Sequence, residues 1–220
     1  MADDAYTKRL EAVIKQMLTP LHDLPFGLVI ECLSQKRVIP FDPSDARDMK
    51  VLEVLKAGAT LGARLINANG IRRRRANEVG NDIEGFVNQS FSDMKVKCEK
   101  PSTLSGKKRA MGYPDLMFID EFGRSNYLEC KTFNNDSLAT TLRSFYLSPS
   151  DDFKVTRDAH HFAISYQMEA TSKIGEDNIY KCLSWKLLDL HQLAVDVKYE
   201  FNSDNHRLYA KKLVLAESKA

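Results

Sequence analysis

The sequence has no long apolar run and no cluster of metal-binding cysteines. It contains nothing close to the roughly eighteen consecutive apolar residues of a membrane-spanning helix. The first residues, MADDAYTKRL, are acidic where a secretory signal is basic. The four cysteines, Cys32, Cys98, Cys130 and Cys182, form no C-x-x-C pair. We therefore expect a cytoplasmic protein with reduced thiols and no membrane partner.

Several common catalytic signatures are also missing. The chain has no glycine-rich phosphate loop, no Ser-His-Asp signature and no dinucleotide-binding fingerprint. Its 220 residues, 43% hydrophobic and 28% charged, are typical of an ordinary globular protein with one sizeable core. A single domain over residues 1–220 is the expectation.

Positive charge is concentrated in one part of the chain. The net charge is only +2, but Arg64 to Arg109 contains eleven Lys or Arg against five Asp or Glu. This part includes the arginine run Arg72, Arg73, Arg74 and Arg75 and the cluster Lys107, Lys108 and Arg109. Each group is compatible with a solvated surface. Together, leading towards acidic residues, they indicate a polyanionic substrate whose phosphates they would neutralise.

Hydrophobic periodicity predicts an α/β fold. Apolar residues at helical spacing predict helices over 4–18, from a Ser44 cap to Gly70, and around 77–87. Two-residue alternation and apolar runs predict strands near 94–99, 113–120, 126–133 and 160–168, with a helix over 135–145. The segment YKCLSWKLLDL fits a helix or a strand. This order favours a central mixed β-sheet flanked by helices.

The stretch from Tyr113 to Phe133 places charges inside an apolar hairpin. Residues i and i+2 of a strand share a face, so Glu129 and Lys131 should project together and Cys130 oppositely. Asp115, at the start of the preceding strand, should lie across from them. Buried carboxylates need a partner, and a hard divalent cation such as magnesium suits oxygen ligands. The alternative is a cross-strand ion pair between Asp115 and Lys131, with Glu129 solvated.

Pro114-Asp115 followed by Glu129-Cys130-Lys131 resembles the motif of PD-(D/E)xK nucleases, and in particular of type II restriction endonucleases. The resemblance implies a restriction-endonuclease-like core: a helix, three antiparallel strands, a helix and a further strand. That order fits residues 77–168, which leaves an N-terminal helical part over about 1–70 and a C-terminal extension over about 169–220. It implies Mg2+-dependent hydrolysis of phosphodiester bonds in double-stranded DNA.

The resemblance also implies residue roles. Asp115 and Glu129 would ligate magnesium with the backbone carbonyl of Cys130, and Lys131 would orient the attacking water. Glu84 resembles a helix glutamate of such enzymes, although Glu78 is an alternative. The enzyme would act as a homodimer, because cutting both strands of a palindromic site requires two active centres related by two-fold symmetry.

Residues beyond the hairpin are weaker candidates for contacts with DNA. Asn134 and Asn135 follow the second strand, and Arg143, Lys154 and Arg157 flank the next connection. A solvated loop is the favoured interpretation for them. Two other functions remain open: a structure-selective repair or junction-resolving nuclease, and a noncatalytic DNA-binding module of the same fold.

Overall fold

A computed structural model describes residues 2–17, 19, 21–109, 112–134, 136, 140, 144–197, 207 and 210–213. The chain divides into two compact units, one made of Met1–Leu24 and Ala194–Ala220 and the other of Pro25–Leu193. The first unit contains helix α1 (Ala2–Met17), which confirms the predicted N-terminal helix. It also contains a two-stranded sheet of β1 (Leu21–Pro25) and β9 (Ala194–Val197). The single-domain organisation stays a prediction.

The second unit is built on a seven-stranded mixed sheet. Its helices are α2 (Phe26–Ser34), α3 (Ala46–Asn69) and α4 (Gly80–Asp93). Its strands are β2 (Val38–Ile39), β3 (Ile71–Arg73), β4 (Cys98–Glu99), β5 (Leu116–Ile119), β6 (Ser125–Phe133), β7 (Ala159–Ile174) and β8 (Asp177–Asp189). The order is β3-β8-β7-β6-β5-β4, with β2 pairing β7. Because β6 and β2 run parallel to β7 while the other pairs are antiparallel, the predicted mixed sheet is confirmed.

Helix α3 begins one residue later than the sequence suggested. Asp45, not Ser44, is the N-cap, and its side chain accepts a hydrogen bond from the backbone N–H of Arg47 at 2.8 Å. Ser44 instead donates its hydroxyl to Asp42 at 2.7 Å. The helix ends at Gly70, as predicted, where a φ of 71° favours glycine.

The main core lies where α3 and α4 pack against the sheet. Its buried side chains include Leu55, Ile66, Ile83, Val87, Phe91, Leu128, Ile164 and Tyr166. Gly58 of α3 allows this close packing, because a Cβ atom there would lie 2.6 Å from a ring carbon of Phe91. A larger residue at position 58 would push α4 away from α3.

Some sequence predictions need correction. The strand expected near 94–99 is limited to Cys98–Glu99, because α4 continues to Asp93 and Lys95 adopts a φ of 60°. The ambiguous segment YKCLSWKLLDL is part of strand β8. The helix expected over 135–145 lies largely outside the described residues. None of the helices in the described part of the chain is long and apolar enough to cross a bilayer.

A buried ion pair fixes the β5–β6 hairpin to α3. Asp48, only 3% exposed, accepts a hydrogen bond from Nη1 of Arg124 at 2.7 Å. Nε of Arg124 donates to Asp120 at 2.8 Å, within the hairpin turn. His160 of β7 places its Nε2 3.3 Å from the same Asp48 carboxylate. The hairpin that carries the motif is therefore held at its turn by α3 and β7.

Candidate active site

A large cleft opens on the second unit beside β5 and β6, with a volume of about 1710 Å3. The predicted residues Glu84, Asp115, Glu129 and Lys131 all line it. The connection before β7 forms another wall, through residues from Ser144 to Val155. Four side chains that are separated by up to 47 positions in the sequence are thus brought to one surface.

The register of the hairpin sets the position of Asp115. Leu116 opposes Leu128, so Asp115 stands just before the first ladder pair. Its Oδ2 accepts a hydrogen bond from the backbone N–H of Cys130 at 2.8 Å. Because the N–H and C=O of one residue point to the same side of a strand, the carbonyl of Cys130 is directed towards Asp115 as well.

Glu129 and Lys131 share the face predicted by the period of a strand. Lys131 Nζ lies 2.7 Å from Glu129 Oε1, whereas the Cys130 side chain lies in the core on the opposite face. Glu129 is 5% exposed, and its Oε2 has no hydrogen-bond partner among the described residues. The solvated Glu129 of the alternative interpretation is therefore wrong.

The pKa values of both carboxylates are raised. Burial, followed by the charge of Asp115, raises the pKa of Glu129 to about 7. Burial also raises the pKa of Asp115, although the hydrogen bond from Cys130 opposes that rise. A raised pKa means that the ionised form of each carboxylate is disfavoured in these surroundings. A cation bound next to them would stabilise that form, so the pair favours cation binding.

Glu84 approaches this pair from α4. It lines the cleft, and its charge contributes to the raised pKa of Asp115. Its Oε2 lies 2.6 Å from Nζ of Lys100. The alternative, Glu78, instead accepts a hydrogen bond from the backbone N–H of Arg75. In the part of the chain that the structure describes, no three His, Cys, Asp or Glu side chains form a ready-made metal cage.

The candidate DNA contacts are distributed unevenly around the cleft. Asn134 and Arg109 line it, and Arg109 lies 3.0 Å from Asp152. Lys108 pairs with Glu99 at 3.2 Å, outside the lining. Its neighbour Lys107 is exposed and donates its backbone N–H to Thr103. Asn135 and Arg143 lie outside the described residues.

The arginine run lies at the edge strand β3 and just after it, and its four members do not line the cleft, although the next residue, Ala76, does. Three of its members pair with carboxylates: Arg72 with Asp177 at 2.8 Å, Arg73 with Asp82 at 2.7 Å and Arg74 with Glu176 at 3.0 Å. Arg75 is exposed and leads into a short 3-10 helix, Ala76–Glu78. The pairs with Asp177 and Glu176 connect the run to the turn between β7 and β8.

Two buried polar groups lie beside the motif, and sequence reasoning missed the burial of one of them, Lys154. Lys154, expected in a solvated loop, is 3% exposed and contacts the turn before Asp115. His161 lies fully buried, 2.6 Å from the hydroxyl of Tyr113. Burial lowers the pKa of His161 to about 3, so the ring is neutral. The polar residues that surround Lys154 in the sequence do not indicate its burial, whereas His161 lies in the apolar run predicted to form a strand over 160–168.

The mixed sheet, with a Pro-Asp turn and a Glu-x-Lys strand meeting beside a helix glutamate, defines the class of the protein: it is a nuclease of the PD-(D/E)xK superfamily. Comparison with known proteins gives the family. The chain belongs to the MjaV family of type II restriction enzymes, whose model matches residues 21–212.

One relative illustrates how far the similarity extends. The type II restriction enzyme MjaV of Methanocaldococcus jannaschii is 32% identical over 232 aligned positions, which cover 99% of this chain and 98% of that enzyme. No solved structure matches the chain significantly. The family membership makes this protein a site-specific deoxyribonuclease.

Proposed function

We propose that the protein cleaves double-stranded DNA by Mg2+-dependent hydrolysis of phosphodiester bonds, with Asp115, Glu129 and the carbonyl of Cys130 as the metal ligands. The observation that carries this proposal is the buried Glu129 carboxylate, whose Oε2 lacks a partner among the described residues. Oε1 of Glu129 pairs with Lys131, which leaves Oε2 as a donor for a metal ion, and the neighbouring Asp115 supplies a second oxygen donor. This oxygen-rich donor set fits magnesium.

Each residue has a separate task in the proposed site. Bound magnesium would lower the pKa of a water molecule and stabilise charge on the phosphate oxygens. Lys131, held at 2.7 Å from Glu129, places its ammonium group at the cleft surface, where it can orient the water and offset the developing negative charge. Glu84 adds negative charge next to Asp115 and would hold an outer-sphere water or a second ion.

DNA would lie in the cleft and extend across the basic groups near it. Arg109 and Asn134 line the cleft and would contact the DNA there. Lys107, Lys108 and the arginine run at 72–75 are exposed or form surface ion pairs, which phosphate groups can replace at little cost. Asn135 and Arg143 remain proposed contacts on sequence grounds.

A homodimer is the proposed working form. The face of α1 exposes Leu10, Val13, Ile14 and Met17, which are between 39% and 45% exposed. An apolar stripe of this kind on a helix is typical of a contact with another helix. A second copy would also provide the second active site that a double-strand cut requires.

Membership of a restriction enzyme family favours site-specific cutting over the structure-selective and noncatalytic alternatives. The test is incubation with several plasmids and phage genomes, with either Mg2+ or EDTA, followed by mapping of the ends. We expect discrete fragments in the reactions with Mg2+ and uncut DNA in the reactions with EDTA. Cutting in EDTA would refute the metal requirement, and cutting of branched DNA alone would favour the structure-selective alternative.

Lys131→Ala tests the catalytic assignment. Removing the ammonium should slow cleavage by about 10²–10³-fold and change DNA affinity by only a few fold. Lys50→Ala is the matched control, because Lys50 pairs with Glu53 on α3, outside the cleft lining. Cleavage by Lys131→Ala at the rate of the control would remove Lys131 from the mechanism.

A further inference from the structure

Lys154 is a buried lysine beside the proposed metal site. It lies in the connection before β7 and is 3% exposed. Lysine is almost never fully buried unless its ammonium group is paired. In contrast to Lys131, which contacts a carboxylate, Lys154 directs its ammonium group at backbone carbonyls. That difference points to a structural task within the site.

The carbonyls belong to the turn that leads into Asp115. Nζ of Lys154 donates to the oxygen of Gly112 at 2.6 Å and to that of Pro114 at 3.1 Å. Gly112 has a φ of 92°, a conformation that strongly favours glycine and reverses the chain. Two charge-assisted hydrogen bonds from one ammonium group thus fasten both ends of a three-residue turn.

The same turn is held on its other side by an aromatic cluster. The Tyr113 hydroxyl lies 2.6 Å from Nδ1 of His161, and the two rings are nearly parallel. Phe26 packs edge-on against both rings. With Tyr113 held by the cluster and its neighbours held by Lys154, the turn has little freedom, and Asp115 follows it directly.

The ammonium group also lies within a cluster of acidic residues. Burial lowers the pKa of Lys154, while the charges of Asp115, Glu84 and Glu129 oppose that effect. The positive charge of Lys154 offsets part of the repulsion between these acidic residues.

We propose that Lys154 is a positioning residue for the metal site: its hydrogen bonds to Gly112 and Pro114 hold Asp115 in the orientation that faces Glu129. This inference depends on the proposed role of Asp115 in binding metal. Residues that orient metal ligands typically change metal affinity by about 10–100-fold when they are replaced.

The test measures Mn2+ binding to the metal-free protein without DNA, by titration followed with electron paramagnetic resonance. Lys154→Met removes the donors and the charge at similar volume, and we expect its Mn2+ affinity to fall by about tenfold or more. Lys154→Gln keeps a donor for the carbonyls, and we expect a smaller loss. In cleavage assays with Mg2+, Lys154→Met should lower kcat while KM for DNA changes little.

Leu55→Ala is the matched control for general destabilisation, because Leu55 is buried in α3 away from the cleft lining. It should lower the melting temperature without changing Mn2+ affinity. The proposal is overturned if folded Lys154→Met binds Mn2+ within about threefold of the wild type, or if Leu55→Ala loses affinity equally. If Lys154→Met does not fold, Lys154→Gln takes its place, and Mn2+ affinity equal to that of the wild type in this variant overturns the proposal.

Asp115→Asn separates this inference from the proposed function. If this variant binds Mn2+ as tightly as the wild type, Asp115 is not a ligand, and the metal site of the proposed function is refuted. If Asp115→Asn loses affinity while Lys154→Met keeps it, only the positioning role of Lys154 is refuted.

Discussion

The carboxylate of Asp115 accepts a hydrogen bond from the backbone N–H of Cys130, over 2.8 Å. This bond takes the place of a ladder hydrogen bond at the point where β5 has not yet begun. It joins the two halves of the motif before any metal is bound. A substitution that removes the Asp115 carboxylate should therefore affect both cleavage and the geometry of the hairpin where β5 begins.

Replacement of Asp115 should remove metal-dependent cleavage. We expect Asp115→Ala to lose at least about a thousandfold in kcat/KM, equivalent to ~4 kcal/mol of transition-state stabilisation. Asp93→Ala, at the exposed end of α4, is the control and should cut normally. The measurement is the rate of plasmid linearisation at saturating Mg2+. Normal cutting by Asp115→Ala would contradict the ligand assignment.

Ionisation of Glu129 should lower the stability of the metal-free protein at pH values above 4.5, the ordinary pKa of a glutamate. Its pKa rises on folding from 4.5 to about 7, so below pH 4.5 the group is protonated in both states and has no effect. As the pH rises from 4.5 to about 7, the unfolded state releases its proton first, and stability falls.

Glu129→Gln should therefore stabilise the metal-free protein at pH 8 by about 1–3 kcal/mol and much less at pH 5. Urea unfolding in EDTA at both pH values measures this difference. Glu121→Gln, in the exposed hairpin turn, is the control. Equal stability of Glu129→Gln and the wild type at pH 8 would contradict the raised pKa.

The basic residues should contribute to the salt dependence of DNA binding. Each phosphate contact contributes about 0.9 to the slope of log affinity against log salt. We expect Arg109→Ala to reduce the slope by about one such unit and Arg72→Ala/Arg74→Ala by about two. Fluorescence anisotropy with a DNA duplex in EDTA gives the slopes. An unchanged slope in the double variant would show that Arg72 and Arg74 do not contact DNA phosphates and only form ion pairs with Asp177 and Glu176.

The ion pair between Asp48 and Arg124 should stabilise the fold without entering the chemistry. Asp48→Asn leaves a buried guanidinium with one carboxylate fewer, and we expect a loss of about 3–5 kcal/mol in the free energy of unfolding. Urea denaturation measures that loss. Asp45→Asn, at the more exposed helix cap, should cost much less, because asparagine caps a helix about as well as aspartate. A loss for Asp48→Asn no larger than that of the control would contradict the structural role.

The exposed stripe of α1 should mediate dimer formation. Leu10→Asp/Ile14→Asp places two charges on the stripe, and we expect a monomer by analytical ultracentrifugation. Such a monomer should nick DNA more often than it cuts both strands. Gln16→Asp adds a charge elsewhere on α1 and should leave the dimer intact. A dimer that persists in the double variant would place the contact on another surface.

The sequence predicted strand β6 well because its signal is local. Alternation along β6 was enough to place Glu129 and Lys131 together and Cys130 in the core. Helix α3 was predicted from its apolar spacing and from Gly70, and only its cap was misplaced by one residue.

Burial that depends on distant partners could not be read in the same way. Lys154 appears in a polar segment, and its partners Gly112 and Pro114 lie about forty positions earlier. Strand β8 is long because it pairs with neighbouring strands of the sheet, and β4 is short because α4 continues to Asp93. The periodicity of the sequence indicates neither of these.

The parallel pairing of β6 with β7 has a consequence for the time at which activity first appears. Residues 126–133 are aligned with 160–167, so β6 gains this neighbouring strand only from a segment synthesised more than thirty residues later. Pairing between segments this far apart in sequence slows folding, because the entropic cost of closing the intervening loop comes first. A nascent chain that ends within the cleft wall carries Glu84, Asp115, Glu129 and Lys131 but lacks β7, and we therefore expect it to be inactive until β7 has been synthesised.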